Sequence, residues 1–209
     1  MIIEPFRTDD IASFQALSAM ENWVAESWEF EFLLSGFPHG CFAARGENGE
    51  TAGFVTSLIH ERSGWIGNLI VAEPFRGLGI GEALFRKSLD ALREYGAETF
   101  WLTASKQGKS LYEKHGFSSI DTIVRWVGTG RQRHEVRDGH CVRSPSNNKV
   151  SAIDCQAWGD RRDALLAATV GRGRLLDEGA GFLVIQPCGA DRQFGPFSAL
   201  DISAAENIF

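Results

Sequence analysis

The spacing of hydrophobic and polar residues predicts a strand followed by helices at the start of the chain. The apolar stretch IIEPF predicts a short strand. Thr8-Asp9-Asp10 then offers an N-cap, with acidic residues in the first turn of a helix that runs to about Met20. The aromatic-rich stretch NWVAESWEFEFLLSGF predicts a second helix, or two short ones, ending at Gly36 and Pro38.

The next stretch predicts a β-hairpin followed by a buried strand. GCFAAR and TAGFVTSLIH flank GENGE, and Asn48-Gly49 in that turn suits a type I′ conformation. After a further turn at ERSG, the stretch WIGNLIVA is apolar almost throughout. Such a stretch is typical of a central strand that is buried on both faces.

A helical period replaces the strand pattern between Gly79 and about Tyr95, and Gly96 predicts the end of that helix. ETFWLTA then predicts a strand, KQGKSLYEKH a short helix that ends at Gly116, and FSSIDTIVRWVG a last strand or strand pair. Together these elements predict an α/β (α+β) fold, with a mixed sheet and flanking helices over residues 1–128.

The rest of the chain divides into a polar connection and a second, smaller unit. Residues 129–149 are polar, contain proline, glycine and asparagine, and predict a linker. From residue 150 to 209 the pattern predicts a strand end, a turn and a helix, then a hairpin, then a strand and the start of a helix. About 60 residues are few for an independent domain, so we expect this unit to pack on the first unit or on another copy in a homodimer.

Composition narrows the class of protein. The chain has 209 residues, 44% of them hydrophobic, and a net charge of −6 with scattered acids and bases, which argues against a nucleic-acid-binding protein. Its cysteines are too far apart for a zinc site, so we expect no metal. We see neither a signal peptide nor an apolar run of the ~20 residues that a membrane span needs, so we expect a cytoplasmic protein without a membrane partner.

Three glycines lie close together between the apolar strand and the following helix, in the sequence RGLGIG from Arg76 to Gly81. A dinucleotide-binding fingerprint would need a glycine where Glu82 stands, and a P-loop ending in Gly108-Lys109-Ser110 would need one where Thr103 stands. Both motifs therefore fail. What remains is a glycine-rich turn at a helix N-terminus with a positive charge. It either binds a phosphate or pyrophosphate, or only allows close helix–strand packing.

A second motif, SLYEKHGF from Ser110 to Phe117, follows about 30 residues later. VAEPFRGLGIGEAL resembles the acyl-CoA pyrophosphate motif of the GCN5-related N-acetyltransferase (GNAT) superfamily, and SLYEKHGF resembles the Y-E-K-x-G-F motif that follows it there. The resemblance covers about residues 1–127 and implies the mixed, mostly antiparallel sheet of the GNAT fold. It also implies an acetyl-CoA-dependent N-acetyltransferase that acts by direct attack of an amine of a small molecule or a peptide.

The C-terminal stretches DCQAWGDRR and FGPFSA resemble a GNAT subgroup in which a second, degenerate GNAT-like domain follows the first. The resemblance implies that residues 150–209 form part of such a domain. This unit contains no R-G-x-G-x-G sequence. We therefore expect it to be incomplete and catalytically inert.

The resemblance also assigns roles to residues of the first unit. Acetyl-CoA would bind along the central strand and at the glycine-rich turn, through Leu69, Ile70, Val71, Arg76, Gly77, Leu78, Gly79, Ile80 and Gly81. Ser105 stands near a position where the family often has an asparagine that contacts the coenzyme A arm. Tyr112 matches the general acid of the family, a phenol of pKa ~10 that would protonate a leaving thiolate of pKa ~8.5; the alternative is a packing role.

The general base and the function itself remain open between alternatives. Glu61 or His60, in the turn before the central strand, or a water held by Asn68 could be the base. Three glutamates lie in the helical region that forms the acceptor site in the family, Glu26, Glu29 and Glu31. We expect them on a solvated helix face; the alternative is that they bind a cationic amine. The alternatives to an enzyme are a GNAT scaffold that binds coenzyme A or a partner without catalysis, and a nucleotide-binding protein.

Overall fold

The computed structural model describes residues 1–130 and 147–208, which form two β-sheets with helices around them. The larger sheet contains, in order, β1 (Ile2–Pro5), β2 (Phe42–Arg45), β3 (Thr51–Ile59), β4 (Ser63–Val71) and β5 (Thr99–Leu102). Its helices are α1 (Ile11–Met20), α2 (Ser27–Gly36), α3 (Ile80–Glu94) and α4 (Lys109–Lys114). Strands β1 to β4 pair antiparallel, and β5 pairs parallel with β4. The predicted mixed, mostly antiparallel sheet with flanking helices is confirmed.

Residues 147–208 form a second body, which we name the C-terminal unit. It contains α5 (Asn147–Trp158), α6 (Asp163–Arg172), β6 (Arg174–Glu178), β7 (Gly181–Cys188), β8 (Asp191–Ala199) and α7 (Ile202–Ile208). Its strands form an antiparallel sheet in the order β6-β7-β8, so the predicted hairpin, strand and final helix are confirmed. That the unit is a degenerate GNAT-like domain stays a prediction. No helix in the described part of the chain is both long and apolar enough to cross a lipid bilayer.

Apolar residues cover both faces of the larger sheet. On one face α3 packs with Leu84, Phe85 and Leu92 completely buried. On the other face, Phe14 of α1 and Phe30 of α2 pack with their ring centroids 4.5 Å apart. Because aromatic side chains bury a large apolar area, this contact packs α2 against α1 on that face of the sheet.

The segment after α4 differs from the prediction. Residues 117–130 form neither helix nor strand, and Ile120, Trp126 and Val127 are 75%, 89% and 85% exposed. A strand needs a hydrogen-bonded neighbour, and no described strand pairs with this segment. The predicted last strand or strand pair is therefore wrong for the described chain, because its hydrophobic pattern indicates a period but not a pairing partner.

The start of the C-terminal unit also differs from the prediction. Residues 147–158 form α5 instead of a strand end, and Val150 and Ile153 are both buried in the core of the unit. These residues are three positions apart, which is the spacing of one helix face. The last residues of the predicted linker 129–149 therefore belong to a helix, and residues 131–146 lie outside the described residues.

The C-terminal unit packs on the turn between β3 and β4. Oδ2 of the buried Asp160 accepts hydrogen bonds from the backbone N–H of Arg62 at 3.1 Å and the backbone N–H of Ser63 at 2.8 Å. The Ser63 hydroxyl donates to the same oxygen at 2.6 Å. The unit thus packs on the first unit of its own chain, whereas a homodimer stays a prediction.

A tryptophan cluster extends this contact onto the sheet. The Trp158 ring packs against Trp65 of β4 and Trp101 of β5, with centroid distances of 5.9 and 6.1 Å. The Arg162 guanidinium lies over the Trp158 ring, 4.1 Å from its centroid, and pairs with the buried carboxylate of Asp154 at 2.6 Å. The sequence DCQAWGDRR therefore supplies the residues that attach the C-terminal unit to the sheet.

Candidate active site

The glycine-rich turn between β4 and α3 exposes a row of backbone N–H groups. Gly77 and Gly79 have φ angles of 77° and 78°, in the left-handed region that favours glycine. No heavy atom lies within 4 Å of where a Cβ at either position would be, so this side of the turn is open. Among the residues that the structure describes, the amides of positions 77–82 have no hydrogen-bond acceptor, whereas Ala83 donates to the Gly79 carbonyl at 3.0 Å. The turn therefore offers the donors that an anion needs.

The side chain of Arg76 ties this turn to the end of β4. Its Nε donates to the carbonyl oxygen of Val71 at 3.0 Å, and its guanidinium forms an ion pair with Glu21. The positive charge predicted for an anion site is thus shared with Glu21, and Arg76 fixes the shape of the turn. The three remaining residues differ in exposure: Leu78 is exposed, Ile80 is buried and Gly81 is half-buried.

Strand β4 has a bulge beside this turn. Asn68 has a φ of 53°, and between its pairings at Gly67 and Ile70 the strand has one residue more than the facing stretch of β3. β5 pairs with β4 only at β4 residues 63–66. The later residues of β4 therefore have no described strand beside them on the β5 side, which leaves a gap there. The backbone that borders this gap belongs to Leu69, Ile70 and Val71.

Asn68 brings a glutamate of α2 to the bulge. Its Nδ2 donates to Oε1 of Glu29 at 3.0 Å and to the hydroxyl oxygen of Thr56 at 3.1 Å. Burial raises the pKa of Glu29, and the hydrogen bond from Asn68 partly opposes this effect. A carboxylate with a raised pKa next to a strand bulge is a candidate general base.

The expectation of a solvated face is wrong for Glu26 and Glu29, which are both half-buried, whereas Glu31 is exposed as expected. The helical spacing contains a signal for this difference. Glu29 lies four positions before Leu33, which is buried in the core, so both residues are on the same face of α2. Helix phase relative to the core could therefore have distinguished Glu29 from Glu31.

Tyr112 lies in α4, the helix that follows β5 along the chain. Its ring packs against Phe85 and Phe117 at centroid distances of 5.2 and 6.4 Å, and burial raises its pKa. The hydroxyl makes no hydrogen bond to another described residue. A Cβ on Gly108 would lie 3.0 Å from the Tyr112 ring and 3.5 Å from Oγ of Ser105, so the tyrosine and Ser105 are neighbours.

His60 and Glu61 do not reach this site. Both lie in the β3–β4 turn, and five strand residues at ~3.3 Å each separate Ser63 from Asn68, which is about 16 Å. Glu61 is exposed, and its backbone N–H donates to the Arg161 carbonyl at 3.4 Å. The structure therefore does not support Glu61 as the base. In residues 1–130 and 147–208, no group of His, Cys, Asp and Glu side chains could hold a metal ion.

The sequence that forms these features also matches a known protein family. Residues 7–117, slightly more than half of the chain, match the model of the Acetyltransferase (GNAT) family. The chain belongs to the GNAT acetyltransferase family. The matched residues include the bulged strand, the glycine-rich turn and Tyr112, and the resemblance drawn from the two motifs is confirmed.

Named relatives of this GNAT chain are N-acetyltransferases. The ribosomal protein bS18-alanine N-acetyltransferase of Haemophilus influenzae is 31% identical over 77 residues, which cover 36% of this chain and 53% of that protein. An N-alpha-acetyltransferase of Sulfolobus acidocaldarius is 31% identical over 84 residues, which cover 38% of this chain and 49% of that protein. The chain thus spans about half the length of these relatives.

A solved structure is similar to this GNAT chain over both units. It is the crystal structure of a Pyrococcus horikoshii protein assigned as an acetyltransferase, with 26% sequence identity and a TM-score of 0.76. The similarity covers 99% of this chain and 74% of that one. Because nearly the whole chain is covered, the C-terminal unit also has a counterpart in a known structure.

Proposed function

We propose that this GNAT protein transfers the acetyl group of acetyl-CoA to an amine of a small molecule or a peptide, by direct attack of the amine on the thioester. The observation that carries the proposal is the gap beside β4. A strand bulge, a stretch of β4 without a described neighbour on the β5 side, and a glycine-rich turn with unpaired amides follow each other along the chain. Glu29 borders the bulge, and Tyr112 follows β5.

The open side of the turn fits the donor substrate. The unpaired amides at positions 77–82 would bind its pyrophosphate, because they project from a helix N-terminus whose dipole favours negative charge. The backbone of residues 69–71 would hydrogen-bond the amide groups of the pantetheine arm in the manner of an added strand. A backbone N–H at the bulge would stabilise the negative charge that develops on the thioester oxygen. Ser105 would border the arm from the β5 side.

Glu29 and Tyr112 would carry the two proton transfers. The amine nitrogen attacks the thioester carbon, the carbon–sulfur bond breaks, and its electron pair leaves with the sulfur. Glu29 accepts the proton that the amine loses, and Asn68 orients the carboxylate. Burial raises the pKa of Glu29, which makes its carboxylate a stronger base. Tyr112 donates its phenol proton to the leaving thiolate. The ordinary pKa values of the two groups, about 10 and about 8.5, lie close together, and burial raises the pKa of Tyr112.

A peptide amine is the first acceptor class to test. One relative is named for acetylation of an alanine of a ribosomal protein, and another is named an N-alpha-acetyltransferase. The carboxylate of Glu29 beside the bulge also favours a cationic group such as an ammonium. Small-molecule amines form the second class.

Titration calorimetry followed by a thiol-release assay tests the proposal. We expect heat of binding with acetyl-CoA, and release of CoA that depends on a peptide with a free N-terminus or on a small amine. The same peptide with an acetylated N-terminus is the matched control. Absence of binding heat with both acetyl-CoA and CoA would contradict the enzyme proposal. Binding without release across the whole amine panel would instead support a non-catalytic GNAT scaffold.

A further inference from the structure

The N-terminus of α2 is held by the C-terminal unit. The carboxylate of Glu26, at the N-cap position of α2, accepts a hydrogen bond from the Gly189 N–H at 2.9 Å and pairs with Arg172 of α6 at 3.5 Å. Nε1 of Trp28 donates to the same carboxylate at 2.8 Å, and the Arg172 guanidinium lies 3.7 Å from the centroid of the Trp28 ring. Arg172 thus contacts an acidic and an aromatic side chain of the same helix turn.

This contact lies one helical turn from the proposed base. Glu26 is the N-cap residue of α2, with an extended backbone, and Glu29 is three positions further along, so both carboxylates lie at the same end of the helix. Burial is the main cause of the raised pKa of Glu29, and the charge of Glu26 adds to it. The Gly189 hydrogen bond, then Trp28 and Arg172, lower the pKa of Glu26 and keep it ionised. Arg172 is thus paired with the carboxylate whose charge acts on Glu29.

The C-terminal unit also contacts β4 close to the bulge. Trp158 packs against Trp65 of β4, and a Cβ on Gly67 would lie 3.7 Å from the Trp65 ring. Gly67 immediately precedes Asn68. The unit therefore contacts both elements that meet in the hydrogen bond between Asn68 and Glu29.

We propose that Arg172 is a positioning residue for the acetyl-transfer site: it fixes α2 over the bulge by holding Glu26 and Trp28, and it shields Glu29 from the charge of Glu26. This inference rests on the proposed function of Glu29 as the base. It gives the C-terminal unit a part in the reaction, although that unit has no R-G-x-G-x-G sequence of its own.

The charged groups around the Glu29 carboxyl are few in the described chain. Glu26 faces it from α2, and β4 contributes the neutral Asn68, which is bonded to Thr56 of β3. The C-terminal unit contributes Arg172 through its pair with Glu26. The short helical turns Thr8–Asp10 and Pro38–Gly40 also pack against α2. Their charged or titratable groups are exposed or engaged elsewhere: Asp9 is exposed, Asp10 pairs with Arg45, and His39 stacks on Tyr95.

Carbon-13 NMR titration of the glutamate carboxyls in the full chain measures the ionisation of Glu29 without any acceptor. The Glu29 resonance is identified as the one that is missing from Glu29→Gln. We expect Arg172→Gln to raise the pKa of Glu29 by about 0.3–1 pH unit and Glu26→Gln to lower it by a similar amount. The double variant returns toward the parent value, because one positive and one negative charge are removed together. The matched control is Arg174→Gln, an exposed arginine of β6 in the same unit, which leaves the titration unchanged.

Changes in the pKa of Glu29 that have opposite signs in the two single variants and cancel in the double variant support the inference. A contact of only structural importance would not produce that pattern. The same pKa of Glu29 in the parent, Arg172→Gln and Glu26→Gln would overturn it, and so would an equal displacement in Arg174→Gln. Glu26→Gln keeps the test decisive if the loss of Arg172 unfolds the chain. Failure of the proposed function is seen separately, as acetyl transfer by Glu29→Gln at the parent rate.

Discussion

Replacement of Asp160 tests how firmly the C-terminal unit is attached to the sheet. Asp160 is 8% exposed, and its Oδ2 accepts bonds at 3.1, 2.8 and 2.6 Å from the β3–β4 turn. Hydrogen bonds to a charged group contribute about 1.5–3 kcal/mol each, but bonds that share one acceptor do not add, and water can reach the turn at the exposed Arg62. We therefore expect Asp160→Ala to lower the free energy of unfolding by about 3 kcal/mol. For a chain of this size, that corresponds to a fall in Tm of about 6–12 °C.

Urea unfolding followed by tryptophan fluorescence measures this loss. Trp158 packs against Trp65 and Trp101, so its emission reports on the separation of the two units. Asp191→Ala is the matched control, because Asp191 is exposed in the same unit, and we expect a change within about 0.5 kcal/mol. A loss below about 0.5 kcal/mol for Asp160→Ala would refute the reasoning that these hydrogen bonds attach the unit.

Other variants test the turn, the acid and the pH dependence. Gly79→Ala should lower the free energy of unfolding by about 1 kcal/mol and weaken acetyl-CoA binding in calorimetry, because the φ of 78° at Gly79 disfavours a side chain. Gly128→Ala is the control, and unchanged stability of Gly79→Ala would contradict the prediction. Tyr112→Phe should lower kcat about 100-fold or more with acetyl-CoA affinity unchanged, and a kcat within about threefold of the parent would mean that Tyr112 is not the acid. Burial alone would raise the pKa of Asp160, but hydrogen bonds from Ser63 and the neighbouring amides lower it. Its contribution to stability is therefore full above pH ~4 and lost as the pH falls through the lowered value. Asp160→Asn should remove this part of the acid sensitivity in Tm measurements, and parallel curves for the variant and the parent would disagree with that assignment.

The parts of the fold and site that could be predicted from the sequence have local signals. The change of hydrophobic period after β4, the clustered glycines and the later tyrosine motif are each contained in a short stretch, so the turn, α3 and Tyr112 lie in the expected elements. Asn48-Gly49 is likewise enough to predict the hairpin of β2 and β3, but the expected type I′ turn is wrong. That turn needs a positive φ at both residues, whereas only Gly49 has one, and the Gly49 N–H donates to the Gly46 carbonyl at 3.3 Å.

The parts that could not be predicted depend on contacts between distant residues. Asn68 and Glu29 are 39 positions apart, and Asp160 and Ser63 are 97 apart. No local pattern specifies which end of α2 crosses the bulge, so Glu29 could not be selected as a base by residue type. The segment 117–130 shows the same effect, because its hydrophobic alternation does not specify a strand to pair with.

Amine-dependent CoA release by Glu29→Gln, measured beside Glu31→Gln, is the most direct test of acetyl transfer at the bulge of β4. Both variants replace a glutamate of α2 by its isosteric amide, but Glu29 bonds Asn68 whereas Glu31 is exposed. With the amine that gives the highest parent rate, we predict a fall in kcat/KM of about 100-fold or more for Glu29→Gln, with acetyl-CoA binding retained. Glu31→Gln should remain within about twofold of the parent. Equal rates for the parent and both variants would contradict the assignment of the reaction to this site.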